Sequence, residues 1–187
     1  GMLCALKDRT AGYDALKGPV SVRLYVDERD AWGGLQGKRF EDRNVTFRLD
    51  SIDKVESGEI RETIRVRLSY EGTRLEQLYS LGADERELRV ENRLCFAHPR
   101  ALLKTAYPTG EGCLITRAET AYGIVERDHK GDDGEYTMQR FLDAADGAGR
   151  GLAVSNDGKY AFNLTEGRTQ ITVARSAIYA QGSSPDW

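Results

Sequence analysis

The sequence predicts an all-β protein, a large antiparallel β-sandwich with little helix, and three observations predict it. From Val20 onward apolar and polar residues alternate with period two in short runs, the pattern of strands buried on one side. Between the runs stand turn residues such as Glu71-Gly72, Gly82 and Asn156-Asp157-Gly158, not the helical stretches that would join parallel strands. The runs number about ten or more, which is where an open twisted sheet tends to split into two packed layers.

Taken in order, Ile60 to Tyr70 places Ile64, Val66, Leu68 and Tyr70 on one face and Arg65, Arg67 and Ser69 on the other. Glu71-Gly72 turns the chain into Arg74 to Leu81, and Gly82 to Glu85 turns it again into Glu87 to Phe96, giving a three-stranded meander. Its polar face carries Arg65, Arg67, Arg74, Glu76, Arg89, Glu91 and Arg93, a charged ladder of the kind that solvates an open sheet. Seven further strands follow: Ala101 to Tyr107, Cys113 to Arg117, Tyr122 to Glu126, Tyr136 to Leu142, Gly151 to Val154, Tyr160 to Leu164 and Gln170 to Ala174. They require a second sheet. Asp143 to Gly149 reads as a small-residue loop, and Ala177 to Trp187 as an irregular or truncated tail. Gly1 reads as a cleavage scar, and residues 1–187 as a single domain.

Composition excludes several functions. The 27 basic and 30 acidic residues are interspersed and sum to a net charge of −3, so no basic patch marks a nucleic-acid partner. No apolar run is long enough to span a bilayer, so no membrane partner is expected. Cys4, Cys95 and Cys113 lack any paired spacing, which disfavours disulfides and structural zinc and suits a reducing cytoplasm. His98 and His129 show no metal-ligand spacing, and Lys130 spoils Asp128 to Glu135 as a calcium loop. Leu152 replaces the third glycine of a dinucleotide fingerprint after Gly147 and Gly149. No nucleophile elbow and no Cys–His pair is present, so no catalytic residue is assigned.

Sugar contact is the chemistry the residues support. Sugars present apolar ring faces beside dense hydroxyls, so their sites combine aromatic platforms with Asn, Asp, Arg and Lys. Arg150 to Phe162 leads from an apolar strand through Asn156-Asp157-Gly158-Lys159 to Tyr160, a tight connection in which Gly158 is expected to supply positive φ. Asp30 beside Trp32 has the same makeup. Arg175 closes an alternating strand and is either a ligand contact or a buried ion-pair partner of Asp157 or Asp143. The candidate carbohydrate or interface residues are thus Asp30, Trp32, Asn156, Asp157, Lys159, Tyr160 and Arg175.

These segments resemble, in order, motifs from the C-terminal half of glycoside hydrolase family 38 α-mannosidases. Asn156-Asp157-Gly158-Lys159-Tyr160 resembles the family's Asn-Asp-x-Lys-Tyr. Asp30-Ala31-Trp32 resembles its Asp-Ala-Trp, and Leu102-Leu103-Lys104 with Tyr107-Pro108 its Leu-Leu-Lys-Val-x-Phe-Pro. Tyr122-Gly123 with Glu126-Arg127 resembles Phe-Gly-x-x-Glu-Arg. Arg140-Phe141-Leu142-Asp143 resembles Arg-Trp-x-Asp with Phe for Trp, and Ala174-Arg175-Ser176 resembles Leu-Arg-Ser.

The resemblance implies a galactose-mutarotase-like supersandwich that packs on a catalytic barrel and lends it wall residues near mannose-containing carbohydrate. The family's zinc ligands and nucleophile lie in an N-terminal barrel that nothing here matches, so the chain alone is expected to hold no cofactor and to hydrolyse nothing. An uncovered interface would favour self-association. A free-standing carbohydrate-binding or mutarotase-like domain is the alternative.

Overall fold

The structure, a computed structural model, describes residues 2–28, 40–113, 115–128, 135–165 and 167–178. In chain order its first strands are β1 (Lys7–Asp8), β2 (Tyr13–Asp14), β3 (Ser21–Val26), β4 (Arg48–Ser57), β5 (Arg61–Tyr70), β6 (Thr73–Gly82) and β7 (Arg89–Cys95). There follow β8 (Ala101–Pro108), β9 (Ile115–Thr120), β10 (Gly123–Asp128), β11 (Tyr136–Thr137), β12 (Phe141–Ala145), β13 (Gly151–Ser155), β14 (Ala161–Thr165) and β15 (Arg168–Ser176). Every pairing is antiparallel. Two compact units emerge, one of Gly1–Met2 and Val45–His98, the other of Leu3–Asn44 and Pro99–Trp187.

The first unit is a meander of four strands in the order β4-β5-β6-β7, one more than the sequence suggested. β4 escapes a period-two reading because its register shifts twice against β5, between Leu49 and Ser51 and between Lys54 and Glu56. The β5–β6 hairpin closes on Glu71 (φ 41°) and Gly72 (φ 87°), both left-handed, which matches the twist of its strands. Val66, Leu68 and Leu75 are buried on one face, whereas Ile52, Ile64 and Leu81 of the same unit stay exposed. The opposite face is the charged ladder, in which Arg67 Nε donates to Glu76 at 2.8 Å and Arg93 pairs with Glu91 at 3.0 Å. Arg65 turns instead to Asp53 of β4 at 3.3 Å.

In the second unit two sheets face each other, β10-β9-β12-β13 and β11-β14-β15-β8-β3. Ala118 and Leu142 from the first meet Phe162, Leu164 and Ile171 from the second, with Met138 between them. Burial of this apolar layer is what holds the sandwich closed. Tyr136 to Leu142, expected as one strand, is two: β11 pairs with β14 and β12 with β9 and β13, so the chain changes layer between them. β12 also runs on to Ala145, into the expected loop, because Ala145 pairs with Gly151. A side chain at Gly151 would fall on the Ala144 carbonyl, so only glycine fits this close approach.

The other face of the five-stranded sheet carries a buried polar layer. Register aligns Arg23, Lys104 and Thr172 in one row and Asn163, Gln170 and Ala106 in the next. Lys104, only 1% exposed, is ion-paired with Glu135 and donates to Asn163 Oδ1 at 3.0 Å. Thr172 donates to the second Glu135 oxygen at 2.9 Å, and Tyr25 donates to Gln170 Oε1 at 2.6 Å. Burial pushes the Lys104 ammonium below its ordinary pKa, and Glu135 acts against that shift.

Removing one partner leaves the other charge buried, at a typical cost of about 3–5 kcal/mol. Chemical denaturation of Lys104→Ala is therefore expected to show a loss of that size. The pairwise replacement Lys104→Met with Glu135→Leu should recover most of it.

Candidate functional site

The connection from β13 to β14 is no hairpin. It crosses from one layer of the sandwich to the other, because β13 belongs to the four-stranded sheet and β14 to the five-stranded one. A crossover must satisfy its own backbone, and Asn156 does so with its side chain. Its Oδ1 accepts from the amides of Gly158 at 3.0 Å and Lys159 at 2.6 Å, and its Nδ2 donates to the Gln139 carbonyl at 3.4 Å. Gly158 is absent from the positive-φ residues, so the expected left-handed glycine is corrected: the Asn156 turn makes it unnecessary.

The crossover leans on the segment between β11 and β12. Met138 N donates to the Tyr160 carbonyl at 3.0 Å and Asn156 N to the Arg140 carbonyl at 2.7 Å. Gln139 N in turn donates to the Glu119 carbonyl at 2.8 Å, tying β9 to the same place. Glu119 grips Arg140 at 2.6 Å and also accepts from its amide, and the Arg140 guanidinium holds the Glu119 carboxyl below the usual carboxylate range.

Around this frame Asp157 and Lys159 are exposed, Tyr160 is 66% exposed, and Tyr122 stands wholly exposed on the two-residue β9–β10 turn. The surface therefore offers the Tyr160 ring, an ammonium, a carboxylate and a fixed guanidinium, with Tyr122 on the turn that follows Glu119. It can stack on an apolar ring and exchange hydrogen bonds with hydroxyls. Nothing in it forms a nucleophile–base pair.

Four of the sequence-selected residues, Asn156, Asp157, Lys159 and Tyr160, come together here, with Asn156 committed to the turn. Arg175 does not join them. Its guanidinium reaches Asp27, just beyond β3, with Nη2 3.3 Å from Oδ1, and Asp27 is wholly buried. The expected partners Asp157 and Asp143 are thus replaced by Asp27, because Arg175 stands opposite Leu102 of β8, which in turn stands opposite Tyr25 of β3, two residues before Asp27. Asp30 and Trp32 lie outside the described residues, as does His129. Sequence reasoning missed Glu119, Tyr122 and Arg140 as members of this surface. The motif segments Tyr122 to Arg127 and Arg140 to Asp143 were the signal that could have joined them to Asn156.

His98 is 5% exposed in the first unit, its ring 5.4 Å from that of Tyr70 and its Nε2 3.3 Å from the Tyr70 carbonyl oxygen. Among the described residues no three His, Cys, Asp or Glu side chains converge as metal ligands.

The family model for the glycosyl hydrolases family 38 C-terminal domain matches residues 1–186. The chain belongs to this family. Two solved structures share its fold. An α-mannosidase from Enterococcus faecalis V583 superposes with a TM-score of 0.79 at 15% identity, over 96% of this chain and 24% of that one. A family 38 glycosyl hydrolase protein from Enterococcus faecalis gives 0.77 at 14% identity, over 96% and 25%. The chain thus spans about a quarter of the length of either. No curated protein matches it.

Two outcomes follow for the family 38 domain. Asn156→Ala removes the acceptor of two amide hydrogen bonds, each worth about 1 kcal/mol, and should lower the melting temperature by several degrees. Asp157→Ala should stay within about 0.5 kcal/mol of the parent. Thermal melts of the two variants compare them directly.

Acid should also destabilise the domain. Backbone amides of Leu6 and Arg150 hold Asp14 and Asp146 low, and Arg61, Lys54 and Arg140 do the same for Glu56, Glu62 and Glu119. A depressed folded pKa means that the unfolded chain binds more protons as pH falls through the carboxylate range, so stability is lost there. Denaturation midpoints are expected to hold between about pH 7 and 5 and to fall below about pH 4.

Proposed function

We propose that this domain is the non-catalytic β-sandwich of an α-mannosidase-like glycoside hydrolase, supporting a separate catalytic domain and adding contacts to mannose-containing carbohydrate. The match of the family's C-terminal model to residues 1–186 carries this reading. It is supported by the α-mannosidase whose chain is about four times as long and whose fold this chain reproduces over a quarter. In the complete protein, zinc and a carboxylate nucleophile would sit in the catalytic domain and hydrolyse α-mannosides with retention.

The crossover surface supports the sugar-contact part of the reading. Tyr122 and Tyr160 supply ring faces, and Lys159, Asp157 and Arg140 supply the polar partners that vicinal hydroxyls require. Exposed Ile52, Ile64 and Leu81 would be covered by the catalytic domain, or would drive self-association of the isolated domain. Exposed Cys4 and Cys95 suit a reducing, cytoplasmic setting.

The test is a titration of the chain with α-mannobiose, followed by tyrosine and tryptophan fluorescence, beside an α-mannosidase assay with added zinc. Weak saturable binding is expected, reduced about tenfold in Tyr160→Ala, with no hydrolysis. Hydrolysis by the chain alone, or binding indifferent to both Tyr160→Ala and Tyr122→Ala, contradicts the proposal.

A further inference from the structure

We infer that the polar face of the four-stranded meander holds a second binding site, for a sugar that carries an anionic group such as a carboxylate or phosphate. Two adjoining grooves of about 710 and 380 Å³ lie on this unit and share Asp50 and Arg74 in their walls. Register explains why the walls converge. Arg74 of β6 stands opposite Ser69 of β5 and Cys95 of β7, and Arg48 of β4 stands opposite the same Ser69. In the next row Glu76 stands between Arg67 and Arg93.

The charges of the two grooves do not balance. Arg48, Arg67, Arg74 and Arg93 line them against Asp50, Glu71 and Glu76, four guanidinium groups to three carboxylates. Three of the four are engaged. Arg48 Nε donates to Asp50 at 2.9 Å, Arg67 to Glu76 at 2.8 Å, and Arg93 reaches Glu76 at 3.5 Å and Glu91 at 3.0 Å. Arg74 alone among them has no hydrogen-bond or ion-pair partner among the described residues.

This arrangement suits a ligand with both an anion and hydroxyls. The planar guanidinium of Arg74 presents paired donors matched to a carboxylate or phosphate edge. The Asp50 carboxylate is fixed from two sides, by Arg48 and by the Ser69 hydroxyl at 2.9 Å. Held so, it is a pre-oriented acceptor for sugar hydroxyls, with Thr46 and Glu71 beside it in the wall. Glu71, on the hairpin turn, disfavours a bare anion and accepts a hydroxyl, which selects the combination over either part.

The site lies in the first unit, whereas Tyr160 belongs to the second, and the inference does not depend on the α-mannosidase reading. Arg89 supplies a control, because it is an exposed arginine of the same sheet that lies opposite Ser80 and lines neither groove.

The experiment is nuclear magnetic resonance titration of the full chain with mannose 6-phosphate, mannuronate, mannose and inorganic phosphate at low salt. Mannose 6-phosphate or mannuronate is expected to bind at least about tenfold more tightly than mannose and than inorganic phosphate, with shifts at Ser69, Glu71 and Arg74. Arg74→Gln should abolish that preference while Arg89→Gln and Tyr160→Ala preserve it. Equal affinity for mannose or for inorganic phosphate, shifts confined to other residues, insensitivity to Arg74→Gln, or no binding of either acidic sugar would overturn the inference. Circular dichroism of Arg74→Gln shows whether its sheet is intact, and Arg74→Lys offers a second variant that keeps charge while losing the paired donors.

Discussion

A lysine ammonium sealed in the middle of a β-sheet is the condition that the second unit is built around. Lys104 cannot be hydrated where it lies, so the chain must bring it a carboxylate and further acceptors. Glu135 and Asn163 meet that demand, and Thr172 in turn donates to Glu135. These residues come from β8, from the position just before β11, from β14 and from β15. One buried charge thereby fixes three strands and the approach to β11.

The consequence reaches the surface. Glu135 anchors the beginning of the stretch that runs through Met138, Gln139 and Arg140 while the chain changes layers. That stretch is the scaffold on which Asn156 and Tyr160 rest. The buried ion pair and the Tyr160 backbone are thus joined by one short covalent stretch, from Glu135 to Met138. Burial decides the placement: Asn156 serves the turn, and Arg175 is taken up by Asp27.

Much of the fold was legible because alternation survives wherever one face is solvated. Ile64 to Tyr70 and Arg74 to Leu81 read directly, as did the Glu71-Gly72 turn, since only particular residues close a two-residue hairpin. β4 was hidden by its two register shifts, and β1 and β2 are too short to show a period. The division of Tyr136 to Leu142 depended on which sheet each half joins, a long-range matter invisible to local pattern. The crossover residues could be selected by chemistry, yet the partners Glu119 and Arg140 could not, because β9 and the Met138 stretch meet only after the layers have packed. Lys104 was visible within a motif but not as a buried charge: a lysine among leucines is equally compatible with a snorkelling surface position.

The claim with most reach is that this domain assists chemistry performed elsewhere in a longer protein. It is tested most directly by expressing the catalytic portion of the longer protein that the proposal calls for, with and without this chain supplied in trans, and measuring kcat/KM on an α-mannoside. The account predicts a crippled remainder whose activity rises on addition of the domain, and rises less with the Lys104→Ala form. A remainder that is fully active alone and indifferent to the added domain would contradict it.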